Sequence, residues 1–111
     1  MTDVYKGSGW SKTLIGICDD GDIYEGSGWG KTLVGCFNDG DVYRGYGWGK
    51  TLVGTSKDGD VYEGCGWSKS YVGSYDNGYI YKGFGWSKTM IGTYDGNEGA
   101  AAAALILLLI S

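Results

Sequence analysis

Five tryptophan–lysine pairs are the residues of this sequence best suited to hold a ligand. In each pair the lysine follows the tryptophan by two positions, and the pairs are Trp10/Lys12, Trp29/Lys31, Trp48/Lys50, Trp67/Lys69 and Trp86/Lys88. Indole rings stack on flat apolar surfaces such as sugar rings, and ammonium groups attract anions such as acidic glycans or lipid headgroups. Repetition of the pair predicts a multivalent surface for an anionic or carbohydrate ligand.

A structural role for the same pairs is the alternative. The indoles would cover the bare backbone of neighbouring glycines, and the lysines would keep the connections solvated and block the pairing of strand edges.

Catalytic groups are poorly represented in this chain. It contains no histidine, the commonest general base and the commonest metal ligand. Carboxylates are plentiful but recur throughout the chain, a distribution more typical of a scaffold than of a single catalytic centre. We therefore expect no enzymatic activity and no cofactor.

Two segments, 28–32 and 47–51, read Gly-Trp-Gly-Lys-Thr and end like a phosphate-binding loop. A functional loop needs a glycine five positions before its last glycine, where this chain has Glu25 and Arg44. It also needs a helix to follow, whereas a strand is expected here. These segments do not predict a nucleotide site.

Metal binding is not expected either. The aspartates beside Gly21 lack the bidentate glutamate of a calcium loop, and aspartate is common in hairpin turns. Cys18, Cys36 and Cys65 occupy three different places in the repeat described below, which suits neither a metal site nor a disulfide framework. We expect them to be reduced thiols.

The net charge and the N-terminal residues bear on the expected partners and location. The formal net charge is −4, and a nucleic-acid-binding protein usually carries a basic surplus. Residues 1–6 lack the apolar stretch of a secretory signal, which favours a cytoplasmic location.

A period of nineteen residues organises the chain. Alignment on tryptophan gives five units without insertions, 3–21, 22–40, 41–59, 60–78 and 79–97. The positions identical in all units are those of Tyr5, Gly7, Gly9, Trp10, Lys12 and Gly16. Such repetition dictates architecture, and we expect a single domain over 1–111.

The turn residues identify each unit as a β-hairpin. Asp-Gly or Asn-Gly follows a β-rich run at residues 20–21, 39–40, 58–59 and 77–78, and these dipeptides tolerate the positive φ of a tight turn. Two strands of about six residues per unit predict an all-β, antiparallel meander of about ten strands.

Successive side chains of a strand point to opposite faces, so the sequence of the first strand in each unit predicts which residues point inward. Tyr5, Gly7 and Gly9 would point inward, and Val4, Lys6 and Ser8 outward. At one outward position the charge changes sign from each unit to the next, which avoids like charges on neighbouring exposed side chains. The residues at this position are Lys6, Glu25, Arg44, Glu63 and Lys82.

Residues 100–110 contain five alanines followed by leucine and isoleucine, a composition that favours a helix of about 16 Å. This helix is too short to cross a bilayer and has no polar stripe, so it should be buried. We expect the sheet to curl into a barrel around it, with alanine against the glycine-bearing face. An open meander, burial between two chains and a parallel β-solenoid remain open. Closure would bring Lys6 near Lys82, which slightly favours an open or loosely closed sheet.

The repeat resembles the MORN family of β-hairpin repeats. In the second unit the matching residues are Tyr24, Gly26, Trp29, Lys31 and Gly35, and the resemblance spans 3–97, although the unit is shorter than the family's twenty-three or so residues. The resemblance implies a scaffold that dimerises or contacts lipid headgroups.

The hairpin prediction places the tryptophan–lysine pairs at one rim and most aspartates at the opposite rim. Besides ligand binding, such opposed charges could join chains end to end. The second functional hypothesis is therefore a self-assembling structural protein whose helix or rims form homo-oligomers.

Overall fold

The computed structural model describes residues 1–7, 9–26, 28–45, 47–64, 69–83 and 85–110. The described residues form ten antiparallel strands closed into a barrel around a C-terminal helix. The predicted hairpin meander and its apolar axis are therefore confirmed.

Each unit supplies a short strand and then a longer one. The short strands are β1 (Thr2–Lys6), β3 (Asp22–Glu25), β5 (Asp41–Arg44), β7 (Asp60–Glu63) and β9 (Tyr79–Lys82). The long strands are β2 (Thr13–Asp19), β4 (Thr32–Asn38), β6 (Thr51–Lys57), β8 (Ser70–Asp76) and β10 (Thr89–Asp95). Every strand pairs with its neighbours in sequence, and β1 pairs with β10. The sheet is closed despite the Lys6–Lys82 neighbourhood, and closure leaves no strand edge unpaired.

The hairpin turns have the geometry that their residues predicted. Asp20, Asp39, Asp58 and Asn77 have φ of 50–56°, and the glycine after each has φ of 90–92°. Two successive residues with positive φ define the type I′ turn, whose twist matches that of the flanking strands.

The face assignment from alternation was wrong. The fully buried inward residues of the short strands are Val4, Ile23, Val42, Val61 and Ile80, whereas the tyrosine after each is half-buried on the outer wall. Gly7 and Gly9 do not belong to a strand, since β1 ends at Lys6 and both have positive φ in the connection that follows. Burial of five β-branched side chains therefore decides which face is the core.

A β-bulge recurs in every unit just before the fixed glycine of the long strand. Val4 lies opposite Gly16 and Tyr5 opposite Leu14, so Ile15 is the extra residue. Its carbonyl accepts a hydrogen bond of 2.8 Å from the amide of Gly26, and the equivalent bond from Gly7 to Ile91 crosses the closure. Bulges of this kind increase strand twist and help a sheet to close.

The C-terminal helix lies inside the barrel. It begins as α1 (Gly99–Ala104) and continues as a π-helical turn (Leu105–Leu109), and residues 101–109 are at most 8% exposed. Among the described residues, no helix has the length and apolar character needed to cross a membrane.

The π-helical turn places one apolar side chain against each unit. Its five residues meet the fixed glycines of the long strands in the pairs Leu105–Gly16, Ile106–Gly92, Leu107–Gly73, Leu108–Gly54 and Leu109–Gly35. The amide of Ile110 donates to the carbonyl of Leu105 at 3.0 Å, five residues back, so one turn matches one circuit of the barrel.

Leucine and isoleucine, and not alanine as expected, pack against glycine. The alanine end lies where the wall carries larger side chains: Ser56 donates to the carbonyl of Ala100 at 2.8 Å, and Tyr94 lies against Gly99. Small helix residues thus face large wall residues, and large helix residues face glycine.

We predict that Gly54→Ala destabilises the protein by about 1–3 kcal/mol or more, whereas Gly49→Ala changes stability by less than about 0.5 kcal/mol. A Cβ at Gly54 would clash with the carbonyl of Tyr62 and lie 3.0 Å from a methyl of Leu108, whereas a Cβ at Gly49 would meet nothing within 4 Å. Neither glycine has the positive φ that would add backbone strain. Urea unfolding followed by far-UV circular dichroism measures both; equal stabilities would contradict the packing described.

Candidate functional site

The tryptophan rim comprises the tryptophans of the connections between the short and long strands. The four described ones, Trp10, Trp29, Trp48 and Trp86, each occupy the middle of a three-residue 3₁₀ turn. These connections surround the barrel mouth that holds the C-terminal end of the helix. Trp67, the fifth predicted member, lies outside the described residues.

The described indoles contact almost nothing in their own chain. Their relative exposure is 106–107%, that of a fully solvated side chain. They therefore do not cover the glycine backbone, and the structural role considered for them fails for these four. A tryptophan can bury about 200 Å², worth about 5 kcal/mol at 25 cal/mol per Å², and the fold gains none of it here.

The lysines predicted to act with the tryptophans have a different aromatic partner. Lys12 lies over the ring of Tyr5, with 4.3 Å from Nζ to the ring centroid. The other four pairs have distances of 4.5–4.6 Å and are Lys31–Tyr24, Lys50–Tyr43, Lys69–Tyr62 and Lys88–Tyr81. Each contact holds an ammonium group on the outer wall below the rim and stabilises that position by about 0.5–1 kcal/mol.

Clefts on the outer wall lie beside these lysine–tyrosine pairs. One cleft of about 540 Å³ is lined by Tyr5, Lys12, Thr93 and Asp95, and its Thr93 hydroxyl oxygen is buried with no hydrogen-bond partner among the described residues. A second cleft of about 390 Å³ is lined by the same repeat positions, Tyr62, Lys69, Thr55 and Lys57. Sequence reasoning missed both clefts because they form between neighbouring units, and the fixed Tyr and Lys positions were the available signal.

One unit departs from the others on this wall. Tyr71 stands where the other long strands carry leucine or methionine, and its ring meets that of Tyr62 edge to face at 5.4 Å. Its hydroxyl donates to Asp60 at 3.4 Å, and burial, together with the Asp60 carboxylate, raises the pKa of Tyr71.

The sign-alternating residues form a charged ring at the same mouth as the tryptophan rim. They were expected on the outer face, but Arg44 points inward and donates hydrogen bonds of 3.0 Å to the carbonyls of Leu108 and Leu109. Lys6, Glu63 and Lys82 line a cleft beside it. The outward assignment failed because these residues alternate with the tyrosines, which occupy the outer wall.

The opposite mouth is acidic. Glu98 accepts a hydrogen bond from the amide of Gly21 at 3.3 Å and lies 3.8 Å from the amino group of Met1. A depression of about 550 Å³ there is lined by Asp19, Asp20 and Asp39. Over the described ranges, no group of three His, Cys, Asp or Glu side chains is placed to hold a metal ion.

The two described cysteines are unpaired thiols in different surroundings. Cys18 is fully buried, and burial, reinforced by the Glu98 carboxylate, raises the pKa of its thiol to about 12. Cys36 is half-buried, and Cys65 lies outside the described residues. Because a thiolate is the reactive form, Cys18 is a structural residue and not a nucleophile.

We predict that ionisation of Cys18 destabilises the fold at alkaline pH. Below pH 9, the ordinary pKa of a thiol, Cys18 is protonated whether the chain is folded or unfolded. Between about pH 9 and 12 only the unfolded chain ionises, so the free energy of unfolding falls by about 1.4 kcal/mol per pH unit within that window.

Urea unfolding at pH 8, 9.5 and 10.5 tests this when the native chain is compared with Cys18→Ala. The variant retains the titration of every lysine and tyrosine, so the difference between the two pH dependences isolates the thiol. Parallel curves would show that Cys18 does not ionise on unfolding.

The chain matches no protein-family model, no curated protein and no solved structure. The features of its own geometry that bear on function are a rim of solvated tryptophans and, below it, a wall of lysine–tyrosine pairs.

Proposed function

We propose that this protein is a non-enzymatic, multivalent binding module that holds carbohydrate chains, with acidic glycans preferred, through its tryptophan rim. The observation that carries the proposal is the complete exposure of Trp10, Trp29, Trp48 and Trp86 at equivalent positions. Indoles that contribute nothing to the core remain available to stack on a ligand, and a sugar ring offers the flat C–H face that suits them.

The connections that carry the indoles support this role. The turn around Trp48 begins at Gly47, which has φ of 64°, and a side chain at Gly47 or Gly49 would meet nothing within 4 Å. The indole therefore stands away from the wall on a short turn, where a bulky ligand can reach it. Its equivalents around the barrel supply the repeated contacts that turn weak individual stacking into avidity.

The distribution of charge supports a preference for acidic glycans. The lysine ammonium groups lie on the wall below the rim, and the aspartates of the hairpin turns lie at the far mouth. An anionic chain is therefore attracted to the rim side and repelled from the other, although the net charge of the protein is −4.

We predict that Trp29→Ala combined with Trp48→Ala lowers avidity on a glycan array by about tenfold or more, because two of the repeated contacts are lost. Far-UV circular dichroism should be unchanged, since neither indole packs against the fold. Leu52→Ala is the matched control, as it shortens an apolar side chain that is also exposed but belongs to β6.

Two further measurements separate the possible ligands. Lys31→Glu combined with Lys50→Glu should weaken binding of acidic glycans more than that of neutral ones. The second measurement tests binding to vesicles with and without anionic lipid, and binding to vesicles alone would identify a membrane surface as the ligand in place of the glycan. Unchanged glycan binding by the tryptophan variant would refute the proposal.

Self-assembly is the second candidate, and the opposed charges of the two mouths favour it. The helix lies inside its own barrel, which leaves the rims as the surfaces for association. Rim-to-rim contacts between charged surfaces weaken as salt screens them. We therefore predict oligomers at 50 mM salt that dissociate at 500 mM in sedimentation velocity; a monomer at both concentrations would remove this candidate.

A further inference from the structure

The charged ring has an imbalance that follows from the number of units. Around the barrel the order is Lys6, Glu25, Arg44, Glu63 and Lys82, and closure of β1 on β10 makes Lys82 the neighbour of Lys6. Positive and negative charges cannot alternate completely around a closed ring of five residues, so one pair of neighbours must carry like charges. β1 and β9 flank β10, and Lys6 lies opposite Gly92 of that strand while Lys82 lies opposite Thr89, so the two lysines approach the mouth from either side of one strand.

Among the described residues, the other charges of this mouth leave the position of Lys6 and Lys82 positive. Glu25 follows Lys6 around the ring and Glu63 precedes Lys82, so each lysine has an acid on one side only. The helix C-terminus brings partial negative charge, but Arg44 donates to two of its carbonyls. Within the described part of the chain, no salt bridge of 4.0 Å or less engages either lysine.

An apolar floor adjoins the two lysines. The cleft at this mouth has a volume of about 460 Å³. Its charged lining residues are Lys6, Arg44, Lys82 and Glu63, three cations against one carboxylate, and its apolar lining includes Ile91, Ile106 and Ile110. Ile110, the residue that follows the helix, is 36% exposed. Cations at the edge of an apolar cleft of this size are suited to a small ligand with one anionic end and one apolar end.

We infer that this mouth binds one single-chain amphipathic carboxylate. Its carboxylate accepts hydrogen bonds from Lys6 and Lys82, and its alkyl chain lies on Ile91, Ile106 and Ile110. The site occurs once per barrel, because only the Lys82–Lys6 neighbourhood lacks an intervening acid. It is independent of the carbohydrate binding proposed above, which uses side chains that point away from the mouth.

Isothermal titration calorimetry with sodium decanoate below its micellar concentration tests the site. The full chain should bind one decanoate, and Lys82→Gln should weaken binding about tenfold or more, since it removes a hydrogen bond to a charged group. Lys57→Gln is the matched control: it removes one positive charge from the end of β6 at the opposite mouth and should leave the affinity unchanged. Lys6→Gln should reproduce the effect of Lys82→Gln from the other strand.

Four results would overturn the inference. Decanol binding as tightly as decanoate would show that the charge is irrelevant. Equal losses in Lys82→Gln and Lys57→Gln would indicate a general effect of net charge. No heat of binding, or about five equivalents per chain, would exclude a single site at the mouth. Each variant is checked by far-UV circular dichroism, and because the indoles do not take part, none of these results bears on glycan binding.

Discussion

Packing of five consecutive apolar side chains against five glycines holds this molecule together. The helix from Gly99 to Leu109 is the only part of the described chain that lies within the barrel, and its last turn meets every unit once. Any side chain at Gly54 or its equivalents would compete with both the neighbouring strand and the helix, so both glycine and the π-helical spacing are required. An α-helical turn would return to the same face after 3.6 residues and would leave at least one glycine without a partner.

Much of the architecture could be read from the sequence because its signals are local. The Asp-Gly turns are predicted from the positive φ that two successive residues must adopt. The period is predicted from the alignment of the tryptophans, and the apolar tail from composition alone. The inward face was misjudged because Gly7 and Gly9 were treated as strand residues, although both lie in the connection. The contact of leucine with Gly16 and its equivalents could not be predicted, since it depends on the bulge at Ile15 and on the depth to which the helix enters.

The candidate site was anticipated by residue type but not by arrangement. Trp48 and Lys50 were expected to act as a pair, yet Nζ of Lys50 lies 4.5 Å from the ring centroid of Tyr43 and the indole is fully solvated. Sequence spacing cannot distinguish these outcomes, because the 3₁₀ turn rotates the tryptophan away from the strand that carries the lysine's partner. The result is a division of roles: valine or isoleucine and glycine build the core, tyrosine and lysine build the wall, and the four described tryptophans take no part in either.

The odd number of units gives a nearly symmetric barrel two kinds of surface. Side chains outside the mouth, such as the indoles, see the same surroundings in each described unit, so they suit a ligand that itself repeats. Side chains inside the mouth face a single helix, and Arg44 alone donates to the carbonyls of Leu108 and Leu109 among the described residues. They also belong to a ring of five charges whose signs cannot alternate completely, so Lys6 and Lys82 are neighbours. An even number of units would allow complete alternation and would remove the Lys82–Lys6 neighbourhood, but it would also break the match between five glycines and one helical turn. The requirement that builds the core therefore also leaves two neighbouring lysines at one mouth that form no salt bridge with any described residue.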